Sequence, residues 1–260
     1  MRFWTTIHLL VFTCAPLFGA SVPLILREGH LVVDGVYVSG QGPYRFLLDT
    51  GAQSNALDAR LAQILNLQAG YRLWVATPAG ATVAPALRSV NIRLGAAQST
   101  TQEVVFLPLE RVRGFDGIQG ILGQEFLSRF DYLLDLRKRK LEFGKQERSG
   151  LRVPFELTDG TPALSTSLGR LVLDSGVDQL VLFGVEPDRG GKPFIMQSSC
   201  GLLNVGTASG RKLVIGSREI SHGPAIAAPH RQNSTAAGLL PTNLFHRVYV
   251  CNSEGYVVFE

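Results

Sequence analysis

The sequence is poor in cysteine and in charge. Its 260 residues include three cysteines, and Asp, Glu, Lys and Arg together make up 18% of the chain. Three cysteines in this length exclude a small disulfide-rich scaffold and a zinc ribbon. A low charged fraction beside 45% hydrophobic residues excludes a disordered chain. The net charge of +4 is mild, so it gives no support for nucleic-acid binding.

Glycine, in contrast, is abundant. The chain has 28 glycines and 13 prolines, and the glycines follow no period of three. This composition excludes collagen and favours a β protein with many turns. The length suits one large domain or two lobes that each bury a core.

The first twenty residues have the layout of a secretory signal peptide. Arg2 gives a positive start, residues 7–12 form a short apolar run, and small residues follow at 19–21. We therefore predict a signal peptide over residues 1–20 and an exported protein, periplasmic or secreted. Retention of this segment as an uncleaved anchor stays open. No later segment is long and apolar enough to span a membrane, so we expect no stable membrane insertion after cleavage.

Export changes how the cysteines are interpreted. Cys14 lies in the predicted signal peptide, which leaves Cys200 and Cys251 in the mature chain. The two could form a disulfide in an oxidising compartment, or they could be two buried thiols. The sequence does not decide between these alternatives.

The chain contains an internal duplication. Residues 45–52 and 170–177 both read as an Arg, three apolar residues, Asp-Thr/Ser-Gly and a small apolar residue. Three further pairs of segments follow in the same order: 75–80 with 205–210, 120–127 with 238–245, and 132–143 with 248–259. We therefore predict an N-terminal lobe over residues 21–144, a linker over 145–152 and a C-terminal lobe over 153–260. Within the first lobe, helical spacing of apolar residues from 57 to 65 predicts one short helix, and residues 31–38 predict a hairpin around Asp34-Gly35.

The duplicated triplets, Asp49-Thr50-Gly51 and Asp174-Ser175-Gly176, carry the chemistry. Each follows an apolar strand, so each carboxylate lies at the edge of a dry core. An isolated triplet of this kind is more often an ordinary turn. Two triplets related by duplication can meet at a pseudo-twofold axis, where two neighbouring carboxyl groups share one proton. Such a pair can activate a water and polarise a carbonyl.

These residues resemble the pepsin-like and retropepsin-like aspartic proteases over nearly all of the mature chain. The resemblance rests on residues 47–52, on Gly120-Ile121-Leu122-Gly123 and on the two Val-x-Thr-x-x-Gly segments. It implies an all-β, bilobal acid-protease-like fold, with two duplicated β-barrel-like lobes, a pseudo-twofold axis and a cleft between them. It also implies three sets of site residues: the catalytic pair Asp49 and Asp174; the loop-locking residues Thr50, Gly51, Ser175 and Gly176; and the flap residues Thr77, Gly80, Thr207 and Gly210.

Two positions depart from the family pattern, and both lie in the second lobe. Pro241 stands where the segment supporting the catalytic loop usually has Gly, which removes a backbone donor. Val177 is β-branched where the first lobe has the smaller Ala52. Both substitutions bear on whether Asp174 is catalytically competent.

The sequence therefore predicts an exported aspartic endopeptidase, a hydrolase that acts on extended peptide or protein substrates as a monomer. We expect no cofactor, no metal and no nucleic-acid partner, since no His-Glu-x-x-His, Gly-x-Ser-x-Gly or phosphate-binding glycine pattern is present. Two alternatives stay open: an inactive peptide-binding pseudo-protease, and a homodimeric protease that uses only the first-lobe aspartate.

Overall fold

The computed structural model describes residues 21–77, 79–198, 200–231 and 234–260. The predicted signal peptide lies outside these residues. Within them, no helix is long and apolar enough to cross a membrane. The fold is all-β and bilobal, as the sequence predicts.

The first lobe runs from residue 21 to about residue 144. Its strands are β1 Val22–Arg27, β2 His30–Val38, β3 Gln41–Leu48, β4 Asn55–Asp58, β5 Tyr71–Thr77, β6 Gly80–Leu94, β7 Ala97–Leu107, β8 Gly120–Leu122, β9 Tyr132–Asp135 and β10 Lys140–Phe143. Its helices are α1 Ala59–Ile64, α2 Gln124–Leu127 and a 3-10 turn at Leu109–Arg111.

The second lobe repeats the arrangement with fewer helices. Its strands are β11 Leu151–Pro154, β12 Glu156–Thr158, β13 Thr161–Thr166, β14 Gly169–Asp174, β15 Val181–Phe183, β16 Phe194–Ser198, β17 Gly201–Ala208, β18 Leu213–Ile215, β19 Arg218–Ile220, β20 Ala225–Ala228, β21 Gly238–Pro241, β22 Arg247–Cys251 and β23 Tyr256–Phe259. A 3-10 turn covers Thr242–Leu244.

A shared sheet joins the lobes. Its strand order is β11-β23-β22-β9-β10-β1, and β22 pairs antiparallel with β9 across the lobe boundary. Each lobe contributes three strands in mirrored order, as a duplicated chain should. One large cluster of buried apolar residues extends through this sheet into both lobes, and smaller clusters lie beside it. This core fixes the two lobes relative to each other.

Two local predictions have different outcomes. The short helix of the first lobe is confirmed as α1, which begins after Asp58; the Asp58 carboxylate caps it by accepting from the Arg60 N–H at 2.9 Å. The hairpin around Asp34-Gly35 is wrong. There β2 continues through a register shift between Val33 and Val36, so the extra residues form a bulge within one strand.

Cys200 and Cys251 do not form a disulfide with each other. Cys251 is fully buried in β22, within the sheet that joins the lobes. Cys200 lies at the turn between β16 and β17 in the second lobe.

Candidate active site

Equivalent strand pairs in the two lobes present the two aspartates. In the first lobe, β3 runs parallel to β8, and Asp49 follows the last paired residue, Leu48. In the second lobe, β14 runs parallel to β21, and Asp174 is its last paired residue. Because each pair is buried and hydrogen-bonded along its length, each aspartate leaves a rigid strand end at a fixed point.

Thr50 and Ser175 lock the two loops together across the lobe boundary. The Thr50 hydroxyl donates to the Leu173 carbonyl at 2.8 Å and accepts from the Ser175 N–H at 3.0 Å. The Ser175 hydroxyl donates to the Leu48 carbonyl at 2.7 Å and accepts from the Thr50 N–H at 3.0 Å. Both side chains are at most 2% exposed. Each hydroxyl therefore satisfies two buried backbone groups, and all four of these groups belong to the lobe opposite the hydroxyl that bonds them.

The glycines of both triplets allow the loops to approach closely. A Cβ on Gly176 would lie 2.9 Å from the carboxyl carbon of Asp49, and a Cβ on Gly51 would clash with the carboxyl of Asp174. Each glycine backbone thus lies against the carboxylate of the opposite lobe. No other residue type leaves this space free.

Backbone donors hold both carboxylates. Asp49 Oδ1 accepts from the N–H groups of Gly51 and Ala52, each at 3.0 Å. Asp174 Oδ1 accepts from the Gly176 N–H at 2.7 Å. Since these donors favour ionised carboxylates, they oppose the effect of burial.

Burial raises the pKa of both aspartates, and it does so unequally. Desolvation is the largest cause in each case. The charge of Asp49 adds to it at Asp174, whose pKa is raised well above its usual value. The pKa of Asp49 is held lower by its two backbone donors, by Asp174 and by the charge of His30. Burial thus favours retention of one proton that the two carboxyl groups share.

Two hairpins cover the dyad. The first is β5–β6, where Thr77 pairs with Gly80 at the tip. The second is β16–β17, and its Ser198 hydroxyl lies 2.8 Å from the Thr77 hydroxyl. Together with the strands below, they enclose a cavity of about 520 Å³ that contains both aspartates.

The second flap differs from the one predicted. Thr207 and Gly210 do not lie at a hairpin tip over the cleft: Thr207 pairs with Ile226 in the body of the lobe, and Gly210 follows the end of β17. The placement predicted from residues 205–210 is therefore wrong. The turn equivalent to Thr77–Gly80 is the one after Ser198, because β16 and β17 form the long hairpin of this lobe.

Proline at position 241 lacks the backbone N–H that glycine has at the equivalent position of the first lobe. The side-chain acceptor for that N–H is missing from the second lobe as well. In the first lobe, the Gly123 N–H donates to Asn55 Oδ1 at 3.0 Å. Asn55 lies six residues after Asp49, and the residue six after Asp174 is Leu180. Leu180 is buried at 2% exposure. The second lobe therefore has an apolar residue in place of the Asn55 amide, so the N–H that proline lacks has no side-chain acceptor to satisfy at this position.

Sequence reasoning missed three polar residues of the site. Gln124 donates to the Thr50 carbonyl at 2.7 Å, Asn55 supports Gly123, and His30 lies on the cleft wall. Asn55 and Gln124 interrupt otherwise apolar stretches, which is a usable signal for buried polar roles. His30 stands at the start of a strand with no pattern around it.

The described residues contain no group of three or more His, Cys, Asp or Glu side chains placed to hold a metal ion.

The chain is similar to known proteins in part of its sequence and in its overall fold. The family model described as "Aspartyl protease" matches residues 35–126, about a third of the chain. Among solved structures, the aspartic proteinase from Irpex lacteus is similar at a TM-score of 0.56 with 14% identity, covering 93% of this chain and 97% of that one. Basic 7S globulin from soybean is similar at 0.55 with 10% identity, covering 92% and 94%. No curated protein sequence matches significantly.

The predicted resemblance to the pepsin-like and retropepsin-like aspartic proteases is confirmed. The family match covers the first-lobe motif, and the structural matches extend the fold over both lobes.

Proposed function

We propose that the mature chain is an exported aspartic endopeptidase whose water is activated between Asp49 and Asp174. The observation that carries the proposal is the reciprocal lock of Thr50 and Ser175, which brings the two carboxyl groups into one buried site. The site is complete within a single chain, which favours a monomer over a homodimer of first lobes.

The two backbone donors at Asp49 Oδ1, against one at Asp174 Oδ1, favour Asp49 as the ionised member of the pair. Ionised Asp49 takes a proton from a bound water, whose oxygen attacks the scissile carbonyl carbon. Asp174 donates its hydrogen bond to the carbonyl oxygen and stabilises the charge that develops there. The proton on Asp49 then passes to the leaving nitrogen as the C–N bond breaks. No covalent intermediate with the protein is needed.

The cleft suits an extended peptide bound in the middle of its length. Its walls combine polar residues with apolar ones, the latter being Leu47, Val105, Ile121, Val177, Met196 and Leu239. The hairpins β5–β6 and β16–β17 lie above it and offer backbone groups to a strand-like ligand. An internal peptide bond is therefore the expected point of cleavage.

The pH profile should be a bell with a mildly acidic optimum. Rate falls in acid as Asp49 gains a proton, and it falls in base as the pair loses its shared proton. Burial and the charge of Asp49 raise the pKa of Asp174, so the basic limb lies well above the usual range of a carboxyl group.

The variant Ala52→Thr tests the origin of the basic limb. Ala52 lies at the cleft beside Asp49, and it supplies only its N–H to that carboxylate. A threonine hydroxyl there can donate a further hydrogen bond to the ionised pair, which favours the charged form. We expect the basic limb of kcat/KM to move to lower pH by about 0.5 unit or more. An unmoved limb in a folded, active variant would remove this explanation while leaving the dyad in place.

Peptide cleavage tests the proposal directly. The mature protein is incubated with a library of unstructured peptides in a chelator, at several pH values, and the products are identified by mass spectrometry. We expect internal cleavage with a mildly acidic optimum. Asp34→Asn, which removes an exposed carboxylate paired with Arg45, is the matched control and should cleave like the wild type. Binding of peptides without any cleavage would support the pseudo-protease alternative and overturn the proposal.

A further inference from the structure

His30 begins β2 and reaches across the lobe boundary to the second catalytic loop. Its Nδ1 lies 3.0 Å from the carbonyl oxygen of Gly176. Because a carbonyl oxygen only accepts, Nδ1 must carry a proton in this contact. The tautomer is thereby fixed, and Nε2 is the nitrogen that gains or loses a proton.

The contact connects His30 to the dyad through one residue. The N–H of Gly176 donates to Asp174 at 2.7 Å, while its carbonyl accepts from His30. The ring of Phe115 meets the imidazole edge to face, with centroids 5.4 Å apart. The imidazole is thus held on both sides, and its hydrogen bond fixes the orientation of the loop that carries Asp174.

The second lobe has no such group at the equivalent place. Gly29 packs against Asp178, four residues after Asp174. Equivalently, Gly160 packs against Gln53, four residues after Asp49. The residues that follow these glycines are His30 and Thr161. The Thr161 hydroxyl donates to the Thr158 carbonyl in its own hairpin. Only one side of the pseudo-twofold arrangement therefore places a titratable side chain against the opposite catalytic loop.

The charges around His30 make its protonation consequential. His30 and Asp49 both line the cavity, and a positive charge on His30 lowers the pKa of Asp49. Asp178 lies against the preceding Gly29, and Arg113 lies on the same cleft wall. Glu28, two residues earlier on its own hairpin, is exposed. The imidazole is half-buried and in contact with the cavity, so its charge is only partly screened.

Building on the proposed protease function, we propose that His30 is a positioning residue of the dyad: it holds the second catalytic loop, and its protonated ring keeps Asp49 the charged member of the pair in acid.

Two variants separate the charge from the hydrogen bond. His30→Gln keeps a donor for the Gly176 carbonyl and removes the charge, whereas His30→Phe removes both. We expect the acidic limb of kcat/KM to move to higher pH by about 0.5 to 1 unit in both variants. We expect kcat to fall further in His30→Phe than in His30→Gln, with KM changing little. An acidic limb that stays in place in both variants would overturn the proposal.

A titration independent of turnover keeps this test separate from that of the protease itself. In protein labelled with carbon-13 at the aspartate carboxyl groups, the NMR signal of Asp49 should titrate at higher pH in His30→Gln than in the wild type. His246→Gln, which changes an exposed histidine that does not line the cavity, is the control and should leave this signal unmoved. If the wild type cleaves no peptide but the shift occurs, the proposed function fails and the role of His30 stands. If peptides are cleaved and the Asp49 titration is unchanged in His30→Gln, the role of His30 fails.

Discussion

Asp49→Asn is expected to lower peptide hydrolysis by at least about 10³-fold while leaving the fold intact. An amide keeps the shape of the carboxyl group but cannot take a proton from water. It can also still accept the two backbone N–H bonds that hold Asp49. The measurement is kcat/KM for one peptide from the library, with circular dichroism spectra to show that the fold is unchanged.

The matched control is again Asp34→Asn, because it makes the same chemical change at an exposed site. Cleavage by Asp49→Asn at near wild-type rate in a chelator would show that the dyad is not the catalytic group.

The second large effect is on stability. Thr50→Val removes the hydroxyl that donates to the Leu173 carbonyl and accepts from the Ser175 N–H. Valine has nearly the same shape, so packing is kept while two buried backbone groups lose their partners. Each unsatisfied group costs about 1–3 kcal/mol, so we expect the free energy of unfolding to fall by about 2–5 kcal/mol. Urea denaturation followed by circular dichroism measures this change.

Thr50→Ser is the control for the lock, because it retains the hydroxyl and loses only a methyl group. It should keep most of the stability that Thr50→Val loses. Ser175→Ala should behave like Thr50→Val, and the double variant should lose less than the sum of the two, since both belong to one hydrogen-bond network. A Thr50→Val protein within about 0.5 kcal/mol of the wild type would contradict the lock.

The duplication and the pairing of Asp49 with Asp174 could be predicted from sequence because both triplets follow apolar strands in equivalent order. The second flap could not. The Val-x-Thr-x-x-Gly segment at 205–210 resembles the first flap in composition, yet β17 carries Thr207 into the body of the lobe. A short pattern of this kind does not say which of two hairpins extends over the cleft.

The sequence also does not predict that the N–H missing at Pro241 is matched by a missing acceptor at Leu180, because each position taken alone gives no sign of the other. Proline suggests a lost donor, but the loss matters only if an acceptor remains. Leu180 occupies the place of Asn55. This equivalence becomes visible only when the pairing of β15 with β21 is compared with that of β4 with β8. His30 likewise gains its meaning from a contact with a residue 146 positions later.

The raised pKa of Asp174 also makes the stability of the fold depend on pH. Desolvation and the charge of Asp49 raise the pKa of Asp174 above its value in the unfolded chain. A raised folded-state pKa gives stability that is present below the unfolded pKa, near 3.9, and is lost as pH rises through the folded value. At neutral pH the aspartate pair therefore weakens the fold. Replacing Asp174 with the neutral asparagine should leave the protein at least as stable as the wild type at pH 7.

Hydrolysis by Asp174→Asn is the most direct test of the central claim that one chain supplies both carboxyl groups. The account predicts a monomeric, folded protein, as judged by light scattering and circular dichroism, that has lost peptide hydrolysis to the same extent as Asp49→Asn. Wild-type activity in Asp174→Asn would contradict it, because the first-lobe aspartate would then work without its partner in the second lobe.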